Sequence, residues 1–148
     1  MLRNAILSVL CVVCCGVLYA QQPDFDAKMS EYGLVDIRTL NSDILVELKY
    51  STEDNFVEVD MYGTLETAYL EAAFAQKVVD AQLILKRRNP KLTLLIYDAA
   101  RPISVQRRMR SVVEGTPYEG FVADGTRGGR HNYGVAVDLT IATTDGVP

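Results

Sequence analysis

Hydrophobic and polar positions change their period several times along the chain, and each change predicts an element. Arg3 precedes an almost unbroken apolar run from Ala5 to Leu18, and Leu18-Tyr19-Ala20 ends on a small residue before the polar Gln21-Gln22. This is the layout of a cleavable secretory signal over residues 1–20, and the run is too short for a stable membrane span. Residues 21–33 read as a polar lead-in with a short helical turn. Over 43–50, Ile44, Val46 and Leu48 alternate with Leu45, Glu47 and Lys49, the pattern of a half-buried strand. Residues 51–63 keep no period and are rich in acids and aromatics, which predicts a long structured loop of the kind that often carries function.

Residues 67–88 read as the main helix, with Leu70, Phe74, Val78, Ala81 and Leu85 on one face. Lys86-Arg87-Arg88 suits its C-terminal end, and Asn89-Pro90 stops it. Residues 92–97 are nearly all apolar, as in a central strand covered on both faces. Pro102 sits at the first turn of a second helix, with Val105, Met109 and Val112 as its buried stripe and Gly115 at its end. A glycine-rich loop follows to Arg130, and a last strand spans 135–141. In that strand Val135, Val137, Leu139 and Ile141 are expected in the core, with Ala136, Asp138 and Thr140 on the opposite face. Strand, helix, strand, helix, strand with long connections predicts an α+β fold, a small and mainly antiparallel sheet with helices packed on it.

Composition narrows the function. Loss of residues 1–20 leaves 128 residues, enough for one core, and removes Cys11, Cys14 and Cys15, so no cysteine remains. Arg3 is the only charge lost, which leaves 14 Lys and Arg against 19 Asp and Glu, a net charge of −5. Nucleic acid and anionic membrane surfaces are poor partners for such a chain. An exported protein, periplasmic or extracellular, with no stable membrane span after signal cleavage is expected.

The candidate chemistry lies in two segments. His131, the only histidine, precedes the last strand after a glycine-rich approach, and Asp138 lies within that strand. Imidazole nitrogen with carboxylate oxygen is a partial ligand set for catalytic zinc, which takes three protein ligands and keeps a fourth position for water. A hydrogen-bonded structural histidine fits the spacing too. Arg101, in Tyr97-Asp98-Ala99-Ala100-Arg101-Pro102, stands between a buried strand and a helix start. An arginine there can hold a carboxylate or an oxyanion, or else pair with Asp98.

Three segments in order resemble the zinc D-alanyl-D-alanine dipeptidases of the vancomycin-resistance type. They are Tyr50-Ser51-Thr52-Glu53-Asp54-Asn55-Phe56 with Tyr62-Gly63, then residues 97–102, then Gly129-x-His131-x-x-Gly134-x-Ala136-x-Asp138. The resemblance spans roughly residues 35–143 and implies His131 and Asp138 as zinc ligands, with Arg101 as transition-state stabiliser. It implies an α+β fold with the site on a small antiparallel sheet, and a small D-amino-acid dipeptide or peptidoglycan fragment as substrate. The family's general base and third ligand come from a later Glu-x-x-His segment that has no counterpart here. Residues 21–148 are therefore expected to form an incomplete zinc dipeptidase domain, inactive as it stands. Gly129 also replaces the family's serine. Two alternatives stay open: a related peptidoglycan carboxypeptidase or endopeptidase, and a non-catalytic periplasmic peptide-binding module.

Overall fold

A computed structural model of the chain describes residues 24–148. The expected signal at 1–20 lies outside the described residues, and among those described no helix is long and apolar enough to cross a membrane. The elements are α1 (Phe25–Glu31), β1 (Val35–Asp36), α2 (Ile37–Leu40), β2 (Leu45–Val46), β3 (Tyr69–Leu70), α3 (Ala72–Arg88), β4 (Leu92–Asp98), α4 (Ile103–Val113) and β5 (Asp138–Thr143). β1 and β3 form a small antiparallel ribbon, while β4 is the centre of a second sheet, parallel to β2 and antiparallel to β5. The fold is α+β, and two of its three strand pairings are antiparallel, as expected.

The elements start and stop for local reasons. α1 is capped by Asp24, whose carboxylate accepts from the Ala27 N–H. The main helix begins five residues later than its apolar period suggests, because Glu71 caps it by accepting from the Ala73 and Phe74 N–H groups. Leu70, expected on that helix, is instead a buried residue of β3. The buried face of α3 is also rotated: Ala81 is exposed and Gln82 is fully buried.

Gln82 is buried because it completes the sheet. β2 begins opposite Leu95, so the ladder does not extend to Leu94. Gln82 Oε1 accepts from the Leu94 N–H at 2.9 Å, and its Nε2 donates to Thr93 Oγ1 at 2.8 Å. The Thr93 hydroxyl in turn donates to the Asp43 carbonyl at 2.6 Å. One polar side chain thus ties helix, central strand and the approach to β2.

Three further expectations are corrected. The strand expected over 43–50 pairs only at Leu45–Val46, and Lys49–Ser51 winds into a 3-10 turn. That turn lets the Tyr50 carbonyl accept from both Met61 and Tyr62 N–H groups. In α4 the buried stripe ends on Val113, and Val112 is exposed. The last strand runs Asp138–Thr143 rather than 135–141. Val137 packs against the core as expected, but Val135, Leu139 and Ile141 do not, with Leu139 39% and Ile141 49% exposed, and the buried residue of the strand is Ala142. β5 is an edge strand, as is β2, and α3 packs on β4.

The sheet's irregularity matters most for function. Ile96 pairs with Leu139, but the next pair is Asp98 with Asp138, so Tyr97 is an extra residue on β4. Such a bulge bends a strand and re-aims its side chains. Here it sets two carboxylates opposite each other at one end of the sheet. Just before β5, a 3-10 turn over Arg130–Tyr133 ends at Gly134, whose φ of 67° is left-handed. The Gly134 carbonyl accepts from the Glu71 N–H. A Cβ at Gly134 would lie 2.8 Å from Glu71 N and 2.9 Å from Leu34 Cδ2.

Two substitutions test these contacts by urea denaturation. Gln82→Met keeps the volume but leaves the Leu94 N–H without its acceptor, with an expected loss of about 1–3 kcal/mol. Gly134→Ala adds left-handed strain to a clash with backbone, with an expected loss of about 2–4 kcal/mol. Stabilities within about 0.5 kcal/mol of the parent, the range of ordinary surface changes, would contradict either account.

Candidate metal centre

The segment after β4 and the turn before β5 are stapled by backbone. Arg101 N–H donates to the His131 carbonyl at 2.9 Å, and Asn132 Nδ2 donates to the Arg101 carbonyl at 2.8 Å. Asn132 Oδ1 also accepts from the Gly129 N–H. On the other side, Ala100 N–H donates to the Tyr69 carbonyl of β3. These bonds fix where His131 can point.

His131 Nδ1 lies 2.8 Å from the Ala99 carbonyl oxygen. A carbonyl only accepts, so Nδ1 carries a proton, and in the neutral ring the Nε2 lone pair is then free. Nε2 faces Asp138 Oδ1 at 3.7 Å. That is too long for a hydrogen bond, and close to the separation of roughly 3.3 Å that two ligands at 2.0–2.2 Å subtend on a tetrahedral zinc. The donor set therefore fits a metal: one imidazole in the ligating tautomer, its other nitrogen held by a carbonyl, and a carboxylate that is 60% exposed.

Asp98 joins His131 and Asp138 in a group whose ligand atoms lie within 4.8 Å of one another. Its position argues against ligation. Asp98 Oδ2 is 3.5 Å from Nδ1, the nitrogen already bonded to Ala99, and the side chain is only 1% exposed. Both its oxygens are engaged, Oδ1 by the Tyr62 hydroxyl at 2.6 Å and Oδ2 by Arg101 Nη2. Asp98 supports the ring from behind, and His131 and Asp138 are the pair that could hold a metal.

Arg101 is buried with Asp98. Its Nη1 donates to Gln106 Oε1 at 2.8 Å, and its guanidinium carbon lies 5.1 Å from the centre of the Tyr50 ring. Its Nε–H is buried and has no acceptor among the described residues. Burial pulls the guanidinium pKa down, but the charge and hydrogen bonding of Asp98 together with Tyr62 outweigh it, and the net shift is upward. Burial, reinforced by Asp98, pushes the Tyr62 hydroxyl well above its usual range, so it stays a donor. Burial likewise pushes Tyr50 up to about 12, with Arg101 pulling against it.

Asp98 and Asp138 line a cleft of about 360 Å³ with Lys49, Tyr50, Asn55 and Tyr97. The loop over 51–63 forms one wall and is held by its own side chains. Asn55 Nδ2 donates to the Thr52 and Val59 carbonyls, and Asp60 Oδ1 accepts from the Tyr62 and Gly63 N–H groups. A larger cavity of about 530 Å³ lies between α1 and the start of α4, lined mostly by apolar groups. Arg101 borders that cavity but none of the three clustered residues does, whereas Asp98 and Asp138 both line the smaller cleft.

The structure thus brings His131 and Asp138 together. Arg101 lines the larger cavity rather than the cleft, and it stands against Tyr50 and Asp98, which line the cleft. Sequence reasoning treats Asp98 only as a possible partner of Arg101 and assigns Tyr62 no role. The signal available for Asp98 is a carboxylate ending an otherwise apolar strand, a position that demands a partner.

No family model matches the chain. A comparison with curated proteins finds D-alanyl-D-alanine dipeptidase of Escherichia coli (strain K12), 32% identical over 116 residues, which is 76% of this chain and 55% of that protein. The chain spans about half the length of the relative it matches. It is homologous to part of a D-alanyl-D-alanine dipeptidase, and that homology supports membership of a peptidase family.

Proposed function

We propose that His131 and Asp138 hold a zinc ion and that the site hydrolyses D-Ala-D-Ala or a similar cell-wall dipeptide. The observation that carries this reading is the free Nε2 of His131 facing Asp138 Oδ1 at 3.7 Å while Nδ1 is tied to a carbonyl. Homology to part of a D-alanyl-D-alanine dipeptidase supports this choice of substrate class. The small cleft, walled by the 51–63 loop, favours a dipeptide over an extended cell-wall strand. Zinc bound there would supply a Lewis acid for the scissile carbonyl and acidify its water.

The chain's own residues have distinct parts. His131 and Asp138 anchor the metal, and Ala99 holds the imidazole in its ligating tautomer. Arg101 is assigned to the developing oxyanion. Its support is a buried Nε–H without an acceptor, in a place where leaving a donor unsatisfied costs about 1–3 kcal/mol. The family's Glu-x-x-His segment supplies the base and third ligand by resemblance, so hydrolysis is to be assayed in the protein as the cell makes it.

Zinc is expected to raise the melting temperature with the logarithm of its concentration above Kd, and His131→Ala to abolish that rise. Asp138→Asn removes a direct ligand's charge and should weaken zinc binding by at least the roughly 10- to 100-fold typical of losing an outer partner. An equal rise in the His131→Ala protein would end the proposal.

For hydrolysis, Arg101→Ala is expected to lower kcat on the order of 10²- to 10³-fold with a much smaller change in KM. A melting temperature that falls while kcat per folded molecule holds would make Arg101 structural only.

A further inference from the structure

We propose that Tyr62 is a positioning residue of this centre: through Asp98 it fixes both the His131 ring and the Arg101 guanidinium. The inference rests on the reading of the site as a metallopeptidase centre. The torsion that turns a carboxylate about its Cβ–Cγ bond is soft, with no sharply staggered wells. A carboxylate is also planar, so anchoring one oxygen places the other. Tyr62 donates to Asp98 Oδ1 at 2.6 Å. Oδ2 is then the atom that pairs with Arg101 Nη2 and stands 3.5 Å from His131 Nδ1. One hydroxyl sets the orientation of a group that touches both functional residues.

Tyr62 is itself held firmly enough to do this. Its side chain is fully buried in the core. Its N–H is shared by Asp60 Oδ1 and the Tyr50 carbonyl, each at 3.0 Å. Its ring meets that of Tyr50 edge-on, with centroids 6.0 Å apart. The 51–63 loop therefore reaches the metal site through Tyr62 as well as by walling the cleft. If the hydroxyl were merely a satisfied core group, removing it would cost stability and nothing else.

Tyr62→Phe keeps the ring and tests the difference. Zinc affinity by chelator competition and kcat on D-Ala-D-Ala should each fall on the order of 10-fold, as for other outer partners of metal ligands, while KM stays within about twofold. In an Arg101→Ala background the same change should cost little further kcat, because the two act as a unit. A third readout needs neither zinc nor turnover. The chain has one histidine, so its ring nitrogen resonances are unambiguous, and they should shift and broaden as Asp98 ceases to hold the ring in place, while the Ala99 carbonyl still accepts from Nδ1. If affinity and kcat stay within twofold and the resonances are unchanged, the proposal is overturned even if the melting temperature falls. A wild-type protein that hydrolyses no dipeptide would defeat the functional reading alone, since affinity and the ring resonances still decide this one. Should Tyr62→Phe fail to fold, Asp60→Ala loosens the Tyr62 backbone from outside the core and should move the resonances the same way; unchanged resonances in a folded Asp60→Ala protein would overturn the proposal.

Discussion

A carboxylate at 1% exposure has to be compensated, and Asp98 organises this molecule because three separate parts of the chain meet at it, two of them supplying its donors. Tyr62 arrives from the 51–63 loop, Arg101 from the entry to α4, and His131 from the turn before β5. Desolvating a carboxylate costs several kcal/mol, and breaking a buried ion pair from one side typically costs 3–5 kcal/mol. Neither Tyr62 nor Arg101 can leave without exposing Asp98 to that penalty. The ion pair is weak evidence for stability in itself, but it specifies which segments meet.

The meeting is made directional by backbone rather than by side chains alone. Arg101 N–H on the His131 carbonyl, Asn132 on the Arg101 carbonyl, and Nδ1 on the Ala99 carbonyl form a short ladder between two irregular segments. Gly134 lets the chain leave that ladder at a left-handed angle, against the Glu71 backbone, and enter β5. The imidazole is consequently presented with one nitrogen committed and one free. A histidine on a mobile loop would have to be ordered by its ligand, at a cost in affinity.

The α+β class, the central strand, both long helices and the functional segments were legible from periodicity and motif. What was not legible shares a cause, which is tertiary contact overriding local pattern. Gln82 is polar and helical, and only the shortness of β2 explains why it is buried. Glu71 is a cap because the chain behind it is needed as β3. Leu139 and Ile141 carry a core-like alternation, yet they lie on an edge strand, and alternation reports two faces without saying what covers either. For the site, spacing brought out His131, Asp138 and Arg101 but not their relation to Asp98. The bulge that sets Asp98 opposite Asp138 comes from one extra residue in β4 against its partner, and a single sequence does not show the partner's register.

The two aspartates on either side of that bulge show why the register matters. They are paired across the sheet, carry the same side chain, and sit in opposite environments: one is 1% exposed and the other 60%. The buried one has both oxygens engaged by protein donors and meets the imidazole on its protonated side. The exposed one meets the nitrogen that has a lone pair, and opens to the cleft. A divalent cation at the site would be drawn to the carboxylate whose lone pairs are free, not to the one already neutralised by Arg101. A regular ladder would keep strict alternation, and residues opposite Asp138 would then include Tyr97 rather than Asp98. The single extra residue in β4 is therefore what separates the task of orienting the histidine from the task of binding beside it.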